Sequence, residues 1–167
     1  MRRPAVLWGM LAALTLVPAG AFGAADAPEV ELVRVEKAAR RLTLLDARGQ
    51  VLRRYAGIQL GSSPNGAKRF EGDGRTPEGR YVIDQGNEAS SYHLSLHISY
   101  PSPADRAGAA ELGRSAGGAI FIHGQPNNLR SGRIAGDWTA GCIAVSNEEI
   151  EELWTLVPNG TAIELLP

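Results

Sequence analysis

Residues 137–145, Asp137-Trp138-Thr139-Ala140-Gly141-Cys142-Ile143-Ala144-Val145, set the single cysteine of the chain in a turn of small residues that opens into an apolar run. Ile143 and Val145 are β-branched and suit a pleated, half-buried surface, so the run reads as a strand. The next segment changes period. Ser146 and Glu149 form an S-x-x-E capping box, and Ile150, Leu153, Trp154 and Val157 fall at i, i+3, i+4 and i+7, one apolar stripe of a helix. Trp154 at this spacing reads as core. Pro158-Asn159-Gly160 stops the helix, and Thr161–Leu165 reads as a closing strand. Backwards from the cysteine, a loop over Gln125–Trp138 leads to a buried strand, Gly118–Ile122, that ends at His123.

Further upstream the pattern stays strand-like. Val30–Val35 and Arg41–Leu45 are apolar-rich runs, and Asp46-Ala47-Arg48-Gly49 is a turn signal before a third run, Val51–Leu60, so this pair reads as a hairpin. Gly61–Gly79 is rich in Gly, Pro and charge and reads as a long loop, either functional or mobile. Arg80–Asp84 is a short strand. Tyr92–Ser99 alternates with Tyr92, Leu94, Leu96 and Ile98 on one face and His93 and His97 on the other. Tyr100-Pro101-Ser102-Pro103 breaks that strand, and Ala104–Leu112 is a candidate short helix. The sum is a mainly β fold with one or two short helices, and no linker follows residue 30.

The first residues read differently. Arg2 and Arg3 precede an apolar run over Ala5–Val17, and Ala21-Phe22-Gly23 or Gly23-Ala24-Ala25 would suit a signal peptidase. Residues 1–25 are therefore expected to be a signal peptide, cleaved or kept as an anchor, and 26–167 a single exported, periplasmic domain. Removing Arg2 and Arg3 leaves 15 basic against 18 acidic residues, a net charge of −3, which argues against nucleic acid as a partner. With one cysteine an exported chain cannot form an internal disulfide, so the thiol is either an inert buried hydrophobe or a reactive group.

The local sequence has to decide between these. A thiol becomes a good nucleophile as thiolate, and a nearby imidazole can take its proton. The imidazole needs its other nitrogen held by a carboxylate or a carbonyl to present the correct tautomer. Gly141 lets substrate and backbone approach the sulfur closely, and the N–H groups around Gly141 and Cys142 are candidate oxyanion donors. Taken alone, a histidine and a cysteine 19 positions apart decide little.

The wider pattern decides more. A His-Gly, a spacer, then Thr-x-Gly-Cys resembles the signature of the L,D-transpeptidases of the YkuD type; here 15 residues separate His123 from Thr139. Gly72-Asp73-Gly74-Arg75-Thr76-Pro77-Glu78-Gly79-Arg80-Tyr81 resembles the G-D-x-x-T-P-x-G-x-Y element of that family, and Ile98-Ser99-Tyr100-Pro101 with Asp105 matches another recurrent stretch. Asp137–Val145 is most similar to the YafK-like murein branch. The resemblance spans roughly Val30–Pro167. It implies a β-sandwich or barrel catalytic domain whose cysteine attacks the L-centre carbonyl of a diamino acid in a peptidoglycan stem peptide and expels the following D-amino acid. An amine then resolves the thioester, or water does. Carried over by residue, Cys142 is the nucleophile, His123 the base, Gly124 the carbonyl that orients it, and Gly141 with Cys142 the oxyanion contacts.

One departure concerns substrate binding. Many family members carry Arg two positions after the cysteine, where this chain has Ala144. Arg130 or Arg133 is then a candidate for a substrate carboxylate, since guanidinium matches carboxylate geometry. Thr139, Trp138, His97 and Tyr100 complete the candidate substrate contacts. His93 and His97 could hold a metal, but no second cysteine or acidic cluster completes a site, so no metal and no cofactor is expected. The charged run Lys68, Arg69, Glu71, Asp73 and Arg75 reads as mostly solvated. The expected function is a cysteine-dependent L,D-transpeptidase on stem peptides. The alternatives are a hydrolase of the same fold that cleaves cross-links or releases a wall-anchored lipoprotein, and a non-catalytic wall-binding module.

Overall fold

A computed structural model describes residues 29–167; the expected signal peptide, residues 1–25, lies outside the described residues. Eight strands form one mixed sheet. They are β1 (Leu32–Glu36), β2 (Arg41–Leu45), β3 (Val51–Ala56), β4 (Gly79–Ser90), β5 (His93–Ile98), β6 (Ile120–His123), β7 (Ile143–Ala144) and β8 (Ala162–Leu166), in the order β3-β2-β1-β8-β4-β5-β6-β7. Two short helices, α1 (Pro103–Glu111) and α2 (Asn147–Leu156), complete a mainly β fold.

Strand β4 joins the two halves. Gly79–Val82 pairs antiparallel with β8, and Ile83–Ser90 pairs with β5 through two register shifts. The sequence suggested a strand ending at Asp84; the strand runs on because each shift lets β5 partner the polar residues beyond. Conversely, the run from Val51 stops at Ala56, because Gly57 takes a left-handed φ of 70° that turns the chain. Residues 58–62 then cross towards the far end of the sheet.

Alternation in the strands points Val33, Val35, Leu42, Leu44, Ile83, Ile98, Ile122, Ile143, Ile163 and Leu165 into a single core. Helix α2 covers part of it. Ser146 caps the helix with a reciprocal Glu149 contact, worth about 1 kcal/mol. Its buried Ile150 and Leu153 each gain roughly 1.5–3 kcal/mol on leaving water. Trp154 packs against Gly86, where any Cβ would meet the indole at 2.6 Å. Ile150→Ala is the single change that would break this packing, at about 2–5 kcal/mol.

The long loop over 61–78 is structured rather than mobile. Lys37, 2% exposed, donates from Nζ to the Gly66 carbonyl (2.7 Å), the Thr76 carbonyl (3.1 Å) and Glu78 Oε1 (2.8 Å). Nor is the charged run wholly solvated. Lys68 and Asp73 pair at 2.9 Å with both side chains buried, and the Asp73 carboxylate also accepts the backbone N–H groups of Arg69, Phe70 and Arg75. Burial pushes the Asp73 carboxyl up, but these donors outweigh it and hold the group below its usual range.

Candidate active site

Strands β6 and β7 run parallel with Ile122 beside Ile143 and His123 beside Ala144. One step back along both chains sets Cys142 beside Phe121, and the two-residue repeat turns Phe121, His123 and Cys142 to the face opposite the core. His123 and Cys142 are thus diagonal neighbours, about 7 Å apart at the backbone.

His123 is 3% exposed, and its Nδ1 lies 2.7 Å from the Gly124 carbonyl. A carbonyl only accepts, so Nδ1 carries the proton and Nε2 keeps its lone pair. No carboxylate is needed to fix this tautomer. Aromatic rings enclose the imidazole: Tyr92 stacks at 4.6 Å and Trp138 meets it edge-on at 5.7 Å. Burial pushes the His123 pKa down, against the opposing effect of the Gly124 contact. Burial pushes the Cys142 thiol up, and the Phe121 N–H and the Lys68 charge pull it back only in part. The thiol lies 3.5 Å from the Ala119 carbonyl. Both shifts favour the uncharged forms, a thiol and a neutral imidazole.

The turn that carries Cys142 is fixed from three sides. Gln59 exchanges both backbone bonds with Ala144 at 2.8 Å, while Thr139 N–H donates to the Leu60 carbonyl and Ser62 N–H to the Thr139 carbonyl. Both stems of the turn thus hang on residues 59–62. Inside it, Thr139 Oγ1 donates to the Cys142 carbonyl (2.8 Å) and accepts the Gly141 N–H (3.1 Å). Thr139 is buried and serves the turn. Beneath lies the 61–78 loop: a Cβ on Gly141 would meet the Arg75 carbonyl at 2.6 Å, and one on Gly61 the Gly74 carbonyl at 2.1 Å. Since Thr139 takes the Gly141 N–H, the amide left for an oxyanion is that of Cys142, which has no acceptor among the described residues.

Other candidate contacts fall in different places. Trp138 walls the site and donates from Nε1 to Gln59 Oε1 (3.2 Å). Tyr100 lies in the core, its hydroxyl donating to the Ala116 carbonyl at 2.9 Å. Arg133 donates to the Gly57 carbonyl (2.8 Å) and pairs with Glu149, so both terminal nitrogens are engaged within the protein. Arg130 is exposed. His93 and His97 do not share a face. His93 adopts a left-handed φ of 69°, which sends its ring to Glu151 of α2 and turns Tyr92 over His123. His97 stays on the thiol's face, against the Phe121 ring.

The sequence reading missed the residues that order the 125–138 loop. Gln59 donates from Nε2 to the Ile134 (2.5 Å) and Gly136 (2.6 Å) carbonyls and accepts from Gln125 Nε2 (3.1 Å), which also donates to the Val145 carbonyl. Both amides are buried. The signal for Gln59 was one polar residue between Ile58 and Leu60 in an otherwise apolar run.

The family model of the L,D-transpeptidase catalytic domain, YkuD, matches residues 31–165. The chain belongs to this L,D-transpeptidase family. Among solved structures it is similar to the helical cell shape determining protein Pgp2 from Campylobacter jejuni (K307A mutant), at 26% identity and a TM-score of 0.67, covering 83% of this chain and 47% of that one. Bd1075 from Bdellovibrio bacteriovorus (21% identity, TM-score 0.57, 82% of this chain and 48% of that) shares the fold. So does an L,D-transpeptidase from Mycobacterium smegmatis (16%, 0.53, 84% and 59%). The chain spans about half the length of the first two. No curated protein matches it significantly.

Proposed function

We propose that this L,D-transpeptidase domain acts outside the cytoplasm on peptidoglycan stem peptides through a thioester on Cys142, as a member of the YafK-like branch. The observation that carries the reading is the His123 tautomer: with Nδ1–H donated to Gly124, Nε2 keeps its lone pair, on a residue that the strand register places diagonal to Cys142. Nε2 takes the Sγ proton as sulfur bonds to the carbonyl carbon, and the oxyanion meets the Cys142 N–H. Collapse breaks the C–N bond, and the imidazolium returns its proton to the departing D-amino acid. An acceptor amine then attacks the thioester, gives its proton to His123, and releases the sulfur, which recovers that proton.

A hydrolytic outcome is the second reading. Ala144 is fully buried and bonded on both sides to Gln59, so this position offers no cation to hold a substrate. Water can then replace the amine in the last step, whether the substrate is a cross-link or a lipoprotein attachment. Among the described residues no helix is long and apolar enough to cross a membrane.

Intact mass of residues 26–167 after incubation with a tetrapeptide muropeptide, beside Cys142→Ala, tests the reading. A covalent adduct on the unmodified protein alone, with free D-alanine, is expected; dimers or tripeptides then distinguish amine from water. An adduct on Cys142→Ala, or none on either protein with any muropeptide, refutes the thioester.

A further inference from the structure

On the same face as Cys142 lies a polar pair that the chemistry above does not use. In the antiparallel pairing of β5 with β6, His97 stands directly opposite Phe121, with ring centroids 4.9 Å apart. Phe121 is next to Cys142 on the other side. The row His97–Phe121–Cys142 therefore crosses three adjacent chains and spans about 10 Å. On the outer side, the register of β4 shifts between Ile83 and Gln85, leaving Asp84 as the extra residue, and such bulges re-aim a side chain. Asp84 Oδ1 comes to 2.6 Å from His97 Nδ1. The carboxylate accepts, so Nδ1 carries the proton in this contact. Asp84 keeps its second oxygen, and the two side chains remain 45% and 27% exposed. The pair thus offers a carboxylate with a free oxygen at the end of an apolar step.

We propose that Asp84 and His97 form a subsite for a cationic amine on the substrate's side chain, with Phe121 as the floor under the methylenes between that amine and the carbonyl acylated on Cys142. The inference rests on the stem-peptide reading above and says which part of the peptide is recognised. In a 2,6-diamino acid the remote nitrogen is six bonds from the acyl carbon, about 7 Å when extended. The carbon–sulfur bond of the thioester adds to this reach, so the amine comes to the His97 end of the row. An ammonium supplies three donors and a positive charge for the free carboxylate oxygen of Asp84. Phe121, partly exposed, gives the methylenes an apolar surface. Recognition at this distance selects the acyl donor without touching the reacting atoms.

The test compares two tetrapeptides that differ only by acetylation of the remote amine, with acylation of Cys142 followed by intact mass. The unmodified protein is expected to acylate at least tenfold more efficiently with the free amine, the scale of one charge-assisted hydrogen bond. The difference should lie in the half-saturating concentration rather than the limiting rate. In Asp84→Asn the preference should fall to about twofold or less, with an acceptor still present for His97 Nδ1. His97→Gln should lower it in the same way and tests the pair through its other member. Equal acylation by both peptides, with adducts formed, overturns this inference and leaves the thioester reading intact. A full preference retained in both variants does the same. Acylation by neither peptide overturns both.

Discussion

Gly141→Ala is the sharpest test of how the nucleophile turn is built. Gly141 has φ = 137°, a region that L-residues rarely enter, and holding alanine there costs about 1–3 kcal/mol. The added methyl would also lie 2.6 Å from the Arg75 carbonyl and 3.3 Å from Ile120 Cδ1. A carbon–oxygen contact normally opens beyond 3 Å, so the turn or the Arg75 backbone must retreat by several tenths of an ångström. Neither is free to do so: Thr139 and Ala144 tie the turn to residues 59–62, and Asp73 ties the other loop through three backbone amides and Lys68. Strain and overpacking together come to about 2–4 kcal/mol, or roughly 10 °C in Tm for a domain of this size. The sulfur moves with the turn, and misplacement of a reacting atom by ~1 Å costs on the order of 10²-fold in rate. Thermal unfolding and the acylation rate from intact mass read the two effects separately. An alanine variant with unchanged Tm and acylation rate would show that the two backbones are not in the contact described.

Other outcomes follow from the same contacts. Because burial raises the Cys142 thiol, its alkylation by iodoacetamide should lag a free thiol at pH 7 and keep rising above pH 9. Because burial lowers His123, the neutral base persists below pH 6.5 and the acid limb of acylation efficiency should lie beneath that value; a limb at 7 or above contradicts it. Gln59→Leu removes four side-chain partners from Trp138, Gln125, Ile134 and Gly136, and should expose the 125–138 loop to hydrogen exchange while raising the half-saturating substrate concentration. Asp73→Ala strips Lys68 of its buried partner and should cost about 3–5 kcal/mol in urea unfolding at pH 7. The folded carboxyl titrates below its unfolded value near 4, so this loss should shrink only as pH falls from there through the lowered folded value.

Much of this molecule is written in local periods. Alternation in Val33/Val35, Leu42/Leu44 and Ile120/Ile122, and the stripe Ile150, Leu153, Val157 behind its capping box, decide where strands and helix form and which sides they bury. The Gly141-Cys142 turn and the His123-Gly124 pair, one thiol and one imidazole at strand ends, mark the candidate site, where the Gly124 carbonyl lies 2.7 Å from His123 Nδ1. The sequence reading of His93 went astray because alternation presumes extended backbone, and a single left-handed residue exchanges the faces of everything before it.

The tertiary structure decided what meets what. Gln59 and Gln125 are 66 residues apart, Arg40 and Asp137 97, and Lys37 reaches Thr76 across 39. A period states which face of a strand is apolar; it does not state which strand lies next to it, in which register, or where a bulge re-aims a carboxylate. Those depend on the closing of long loops onto one core, and on backbones approaching closely enough that only glycine fits between them, as at Gly61 and Gly141. The sequence alone thus determined the strand-rich domain and marked its candidate pair, His123 and Cys142. The fold alone placed Arg75 beneath the cysteine turn, Tyr92 over the imidazole and Asp84 beside His97, because each is a contact between distant segments that no local pattern encodes.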